Sequence, residues 1–477
     1  MADIPYNPES LSQIEIRSID YVPPEERHGT IRDQFTLWFG LNAVIFSVVL
    51  GGVPVLLGLN FLWSAIAIVV GVVTGLGMVG LHALQGPKLG VPQMIQSRAQ
   101  FGFYGAVVLF AASIALDFGF LAAQLVIQAQ AMNVLIGSIS IPAWIAILSI
   151  PVIPLTIYGY NWIQLWQRWM TPILAVTFAV LIVQAIRFGG LHGHAAGTGA
   201  PSFALFMESV ALFVIAMVSW APYVSDYSRY LPASVKKAGL FWAVFLGCAI
   251  GEIATCVLGA YITALLPDAS STVAAVHQVA GSWALPIMAL SLVGADVVNA
   301  YTGMLALASI VSCFKDVRSS KRMRVLGSLL IIALGTGCAL LGYRSFVNNL
   351  SNFLQVLLFI FIPWTAINLT DYFVIRRGEY HVPSFFTARG DYGGFVWRGL
   401  IPYLLAVAAE LPFISQTYYT GPLVGPLGGV DISWVVGGVA GVVFYLIAVR
   451  QFPLPASPAV LETGMTPSTG DRPDLAQ

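Results

Sequence analysis

In the apolar stretch "ALDFGFLAAQLVIQAQ", Asp117, Phe120, Gln124 and Gln128 follow the spacing i, i+3, i+7, i+11. On a helix that spacing lines up a carboxyl, an aromatic ring and two amides along one stripe. A second stretch, "LVGADVVNAYTG", sets Asp296 and Asn299 on a shared face with Tyr301 nearby. A third, "FVIAMVSWAPYVSDYSRYLP", starts as an apolar helix, meets Ser219, Trp220 and Pro222, and turns polar at Asp226 and Arg229. An indole, a phenyl ring and amides suit a small, planar, mostly neutral heterocycle. Rings stack on its faces and amides pair with its edge. The alternative is that Gln124 and Asn299 only bind neighbouring helices together.

Such residues need elements that hold them away from lipid. Pro222 lacks an N–H, so the Val218 carbonyl is expected to lose its helical partner, letting Ser219 and Trp220 turn out of the helix. Freed backbone groups are tolerated at membrane depth only where they line a cavity or meet a ligand. The first apolar run carries a similar interruption, "SVVLGGVP", in which Gly51, Gly52 and Pro54 follow Ser47. The two interruptions fall in the first and sixth runs. That placement points to an inverted-repeat secondary transporter with a midplane site, and Ser47 is counted with its substrate-binding residues.

Composition agrees. The chain has 477 residues, 58% hydrophobic and 9% charged, too few polar residues to cover a soluble surface. Its formal net charge is zero, so no bulk field draws it to nucleic acid. Twelve runs are long enough to read as spans, at 35–58, 61–84, 104–136, 142–158, 163–187, 205–225, 238–266, 280–312, 325–342, 347–375, 397–414 and 434–450. With the N-terminus in the cytoplasm, Lys88, Arg98, Lys236, Lys237, Lys315, Arg318, Lys321, Arg322, Arg324, Arg376, Arg377, Arg389 and Arg398 lie inside, and only Arg187 and Arg344 lie outside. The asymmetry places both termini in the cytoplasm. No cleavable signal peptide is read, so the first run serves as its own insertion signal. The last residues, rich in Pro, Ser and Thr, read as a disordered tail.

Other features are read as structural. "GLGMVG" at 75–80 fits a dinucleotide pattern but lies inside an apolar run with no preceding strand. Gly71 and Gly75 form GxxxG, a close-packing face. Cys248, Cys256, Cys313 and Cys338 show no CxxC spacing and read as free core residues. His192 and His194 lack further ligands nearby, so no metal or other cofactor is expected. Glu208 and Glu252 read either as buried proton sites or as snorkelling near their helix ends, with the second reading preferred, and Asp226 with Arg229 as a local pair or gate.

Four stretches carry a family resemblance: "ERHGTIRDQFTLWFG", "GPKLGVPQMIQSRAQFGFYG", "SWAPYVSDYSRYLP" and "PWTAINLTDYFVIRRGEY". In these the chain resembles the nucleobase–cation symporters, in their purine–cytosine permease branch. The resemblance implies the five-plus-five inverted-repeat fold of sodium-coupled amino-acid transporters, with two added helices. It also implies that substrate lies between an aromatic residue of span 3 and a tryptophan of span 6, with amides from spans 3 and 8. By motif these match Phe120, Trp220, Gln124 and Asn299. Span 3 has Phe120 where relatives often carry Trp, and the Gln124 position is often Asn in fungal members. Span 8 supplies hydroxyls to the ion in sodium-coupled members, but here reads "SLVGADVVN".

The expectation is therefore an all-α polytopic membrane protein. Residues 1–34 form a cytoplasmic segment, 35–187 a first repeat with broken helix 1, 205–375 a second repeat with broken helix 6, 397–450 two further helices and 451–477 a tail. It imports a nucleobase or related heterocycle across the plasma (inner) membrane by cation symport. The proton is the expected coupling ion, with sodium-coupled carriage of hydantoin- or allantoin-like compounds as the alternative. Desolvation disfavours a charged carboxyl, so Asp296 first and Asp117 second are the expected proton carriers. An enzyme would need a motif such as HExxH or GxSxG, and a channel a repeated pore-lining ring; neither is present. A receptor that binds without transporting stays open, as does oligomeric state.

Overall fold

The computed structural model describes residues 17–190, 202–315, 320–416 and 418–452. The fold is all-helical, apart from one isolated bridge between Ser415 and Thr420. Among the described residues nine helices are long and apolar enough to cross a membrane, ten when the bent pair α1 (Ile31–Asn42) and α2 (Ile45–Leu56) counts as one span. The elements that follow are α3 (Phe61–Ala83), α4 (Val107–Leu135), α5 (Ile141–Ser149), α6 (Val152–Tyr158), α7 (Tyr160–Gly189), α8 (Phe203–Val218), α9 (Val224–Ser228) and α10 (Lys237–Leu265). The chain continues through α11 (Ala284–Val311), α12 (Lys321–Gly342), α13 (Phe346–Leu369), α14 (Trp397–Glu410) and α15 (Ser433–Gln451). Two of the twelve expected runs form shorter helices. In α8 the helix stops at the sixteenth residue because the chain turns at Ser219, and α14 gives way after fourteen to a 3-10 turn containing Pro412. His192, His194 and residues 453–477 of the expected tail lie outside the described residues, while Gln451, expected in the tail, closes α15.

The first span breaks earlier than its glycines suggest. A capping box at Thr30 and Asp33 starts α1, and at its end Asn42 Nδ2 donates to the Trp38 carbonyl at 2.8 Å. Ala43 and Val44 leave helical geometry, Val44 with φ −134° and ψ 161°, and α2 resumes at a 52° bend. Gly51, Gly52 and Pro54 stay inside α2. Their role is contact. A Cβ on Gly51 would sit 2.0 Å from the Cys256 carbonyl oxygen, and one on Gly259 1.8 Å from that of Val48, so α2 and α10 touch backbone to backbone. The GxxxG of α3 does the same against α8: Cβ atoms on Gly71 and Gly75 would come within 2.6 and 2.7 Å of the Val210 and Val214 carbonyl oxygens.

The second break lies where the proline signal puts it, between α8 and α9. The Val218 carbonyl does not go unpaired, however. The chain tightens, so Ala221 N–H donates to it at 2.8 Å, and Trp220 N–H donates to Met217 at 3.0 Å. Two of the family-like stretches hold one another in place. Trp364 Nε1 donates to Ser97 Oγ at 2.9 Å, Gln100 Nε2 to Asp371 at 2.6 Å, and Gln85 Nε2 to Asn368 at 2.8 Å, while His82 stacks on Trp364. In that loop Arg98 donates to the carbonyls of Phe385 and Ser309, and burial pushes its guanidinium down to about 10.

Candidate functional site

Helices α4 and α11 run antiparallel and meet through three polar rungs. Thr302 Oγ1 donates to Asp117 at 2.8 Å, Asn299 Nδ2 to Gln124 Oε1 at 2.9 Å, and Gln128 Nε2 to Asp296. The stripe read from sequence is therefore real, but its members divide. Eleven residues of helix extend about 16 Å. Phe120 and Gln124 at its middle line the cavity, whereas Asp117, Gln128 and Asp296 turn onto the facing helix and do not. The expected proton carriers thus act in this structure as ties between α4 and α11.

The cavity lies at the two breaks. Phe120, Gln124, Trp220, Asn299 and Ser47, the five substrate-binding residues named from sequence, all line it. Trp220 packs edge-on against Trp38 at 5.4 Å and against Tyr223 at 5.6 Å; Phe120 lies between Phe46 and Phe353 at 5.8 and 5.5 Å. The Gln124–Asn299 bond consumes the Gln124 carbonyl oxygen and leaves its NH2 group as a donor. Asn299 Oδ1 has no hydrogen-bond partner among the described residues. The pair therefore ties two helices and still presents one donor and one acceptor, the complement of an amidine or lactam edge. The cavity measures about 20 Å³, room for a water at most. Admitting a heterocycle requires these rings to move apart.

Sequence reasoning missed Phe46, Asn42, Tyr223 and Glu252, which also line the cavity. Phe46 and Asn42 escaped because the first break was placed seven residues too late. Glu252 was preferred at a helix end over a buried proton site, yet it lies midway along α10, is 3% exposed and is in hydrogen-bond contact with Ser47 Oγ at 2.6 Å. Its signal was a carboxyl at the centre of a long apolar run. Away from the cavity, Asp226 accepts from the Gln93 backbone N–H at 2.7 Å. Arg229, fully buried, donates to the carbonyls of Arg17, Ser18 and Asp20 at 2.9–3.2 Å. That arginine fastens the N-terminal segment beneath the second break.

An all-helical membrane carrier with a small ring-and-amide cavity at two helix breaks is the class that this fold and site define. Residues 21–437 match the family of permeases for cytosine/purines, uracil, thiamine and allantoin. YxlA of Bacillus subtilis (strain 168), assigned to the purine–cytosine permeases, is 35% identical over 91% of this chain and 96% of its own length. The purine–cytosine permease FcyB of Emericella nidulans is 25% identical over 92% and 89%. Among solved structures, Mhp1, a nucleobase-cation-symport-1 transporter in a closed conformation with bromovinylhydantoin bound, has the same fold. It aligns at TM-score 0.73 over 94% of this chain and 98% of its own, with 18% identity. The chain belongs to this permease family, in the purine–cytosine branch of the nucleobase–cation symporters, and is a transporter, not an enzyme.

Replacing Trp220 by alanine removes one aromatic wall, so KM for the transported base should rise about tenfold, equivalent to roughly 1.4 kcal/mol, with near-normal surface expression. An unchanged KM, measured by uptake into intact cells, would take Trp220 out of the site.

Proposed function

We propose that the protein imports a cytosine- or purine-type nucleobase across the plasma membrane by proton symport. The observation that carries this reading is the convergence of Trp220, Phe120 and the Gln124–Asn299 pair on one cavity at both helix breaks. In it Phe120 and Trp220 stack on the base, Gln124 and Asn299 read its edge, and Ser47 completes the wall. The two repeats, beginning at 35 and 205, rock about this site, with twelve spans and both termini in the cytoplasm. Three contacts support an inverted repeat. Span 1 touches span 7 through Gly51 and Gly259, span 2 touches span 6 through Gly71 and Gly75, and span 3 pairs with span 8. Exchanging the repeats maps the first contact onto the second and the third onto itself. A cleft of about 450 Å³ lined by Val53, Leu56, Thr272 and Tyr343 at the far end of α2 is the entrance from outside.

Proton coupling is favoured over sodium by the residues of span 8, which continues as unbroken helix through Gly294. Gly294, where sodium-coupled members bring hydroxyls, faces an amide: its Cβ would lie 2.4 Å from Gln167 Nε2. Proteoliposomes supplied externally with labelled adenine, cytosine, hypoxanthine, uracil or allantoin in separate assays test the reading. Uptake of a nucleobase should survive complete removal of sodium and collapse when a protonophore is added. Strictly sodium-dependent uptake, indifferent to an imposed pH gradient, would refute proton coupling. Selective uptake of allantoin would refute the substrate class.

A further inference from the structure

Glu252 is the one carboxyl among the residues that line the cavity. Its contacts are two. Ser47 Oγ lies 2.6 Å from its Oε2, and the Cys256 thiol 3.3 Å from its Oε1. Among the described residues no cation pairs with it. Ser47 Oγ also lies 2.9 Å from the carbonyl oxygen of Asn42, the last residue of α1 before the break.

Counting protons decides how these contacts work. A serine hydroxyl has one proton to give, and a carbonyl oxygen can only accept. Ser47 can share its one proton between the two acceptors as a weaker three-centre bond, but both contacts are full two-centre hydrogen bonds only when the carboxyl carries a proton. It then donates to Ser47 Oγ, which donates onward to Asn42. With Glu252 ionised, the hydroxyl turns to the carboxylate, and Asn42 keeps only the Val44 N–H at 3.0 Å and the distant Thr255 hydroxyl at 3.4 Å. An unpaired carboxylate in this apolar wall is also costly. The protonated form therefore fits the closed cavity, and loss of the proton unfastens the hinge between α1 and α2.

We infer that Glu252 carries the coupled proton, since it lines the cavity and Asp296 and Asp117 do not; the inference rests on the proton-symport reading above. The carboxylate takes a proton from external water, the neutral acid crosses with the base, and the proton leaves to cytoplasmic water once the inner side opens. No other reactant is needed. The titratable groups around it are few. They are the Cys248 and Cys256 thiols of its own helix and the Tyr223 hydroxyl across the cavity. From α1 and α2 it meets Asn42 and Ser47, and α3, α7 and Thr272–Ala280 bring no ionisable group into contact with it among the described residues.

The test uses purified full-length protein in proteoliposomes with a pH dye inside, and whichever labelled base the wild type takes up. Glu252→Gln should still exchange internal for external base, with whatever change in KM its place in the cavity wall brings. It should fail to accumulate base on a proton gradient and fail to acidify the lumen. Accumulation and acidification that persist in Glu252→Gln would overturn the inference, as would finding those losses in Asp296→Asn or Asp117→Asn alone. Should Glu252→Gln not fold, Ser47→Ala reports on the same relay. Its pH–uptake profile should move by about one unit or more, and an unmoved profile counts against the relay. If wild-type protein itself moves sodium and no protons, the symport reading fails; if it moves protons and so does Glu252→Gln, only the assignment to Glu252 fails.

Discussion

Uptake by Asn299→Leu is expected to fall at least about a hundredfold in Vmax/KM. Leucine keeps much of the volume but removes both a donor and an acceptor. The Gln124 carbonyl oxygen loses the 2.9 Å bond that Asn299 gives it, and the edge of the base loses the Asn299 Oδ1. Each unmatched buried group costs about 1–3 kcal/mol; at about 2 kcal/mol each the two together come to about 4 kcal/mol, beyond a factor of a hundred. A site built to hydrogen-bond its ligand discriminates in this manner against any pairing left short. Gln124→Leu should show a similar loss with a changed order of base preference. Uptake within about threefold of wild type, with the order unchanged, would reduce the pair to a tie between α4 and α11.

Gly259→Val should lower folding stability by on the order of 3 kcal/mol, the upper end of the range for overpacking a well-packed interior. A Cβ there would meet the Val48 carbonyl oxygen at 1.8 Å, and the reciprocal position, Gly51, meets Cys256 backbone at 2.0 Å. Backbone cannot swing aside like a side chain. The helices must separate, which also pulls Ser47 from Glu252, so transport should fall with stability. Gly77→Ala is the control, since a Cβ at Gly77 has no atom within 4 Å. Melting curves in detergent measure both. Equal melting temperatures for Gly259→Val and Gly77→Ala would mean that α2 and α10 do not touch.

These two sites show why some residues were legible and others were not. Asn299 stands out because an amide in an apolar run is expensive without a partner, and its spacing from Asp296 sets its face. Trp220 stands out for the proline beside it. The glycines of α2 misled for a physical reason: glycine serves both a broken backbone and a close helix contact, and only the neighbour distinguishes them. Here the neighbour is Cys256, more than two hundred residues away in the chain. The true break is signalled weakly, by Asn42 turning its amide back onto Trp38.

By itself the sequence determined the membrane class, most of the helices, the second break and the five residues that meet at the cavity, because apolar length, proline chemistry and helical period are local properties. Tertiary structure alone decided which polar residues face the cavity and which face another helix. Asp117 and Asp296 share the stripe of Gln124 and Asn299, yet α4 and α11 bury them against each other at either end. Glu252, the one carboxyl on its helix, reaches the centre because three glycines let α10 approach α1 and α2: Gly247 and Gly251 meet the Phe35 and Phe39 carbonyl oxygens of α1, and Gly259 meets Val48 of α2. A side chain's direction follows from its own helix, but what it meets depends on how closely another helix can come.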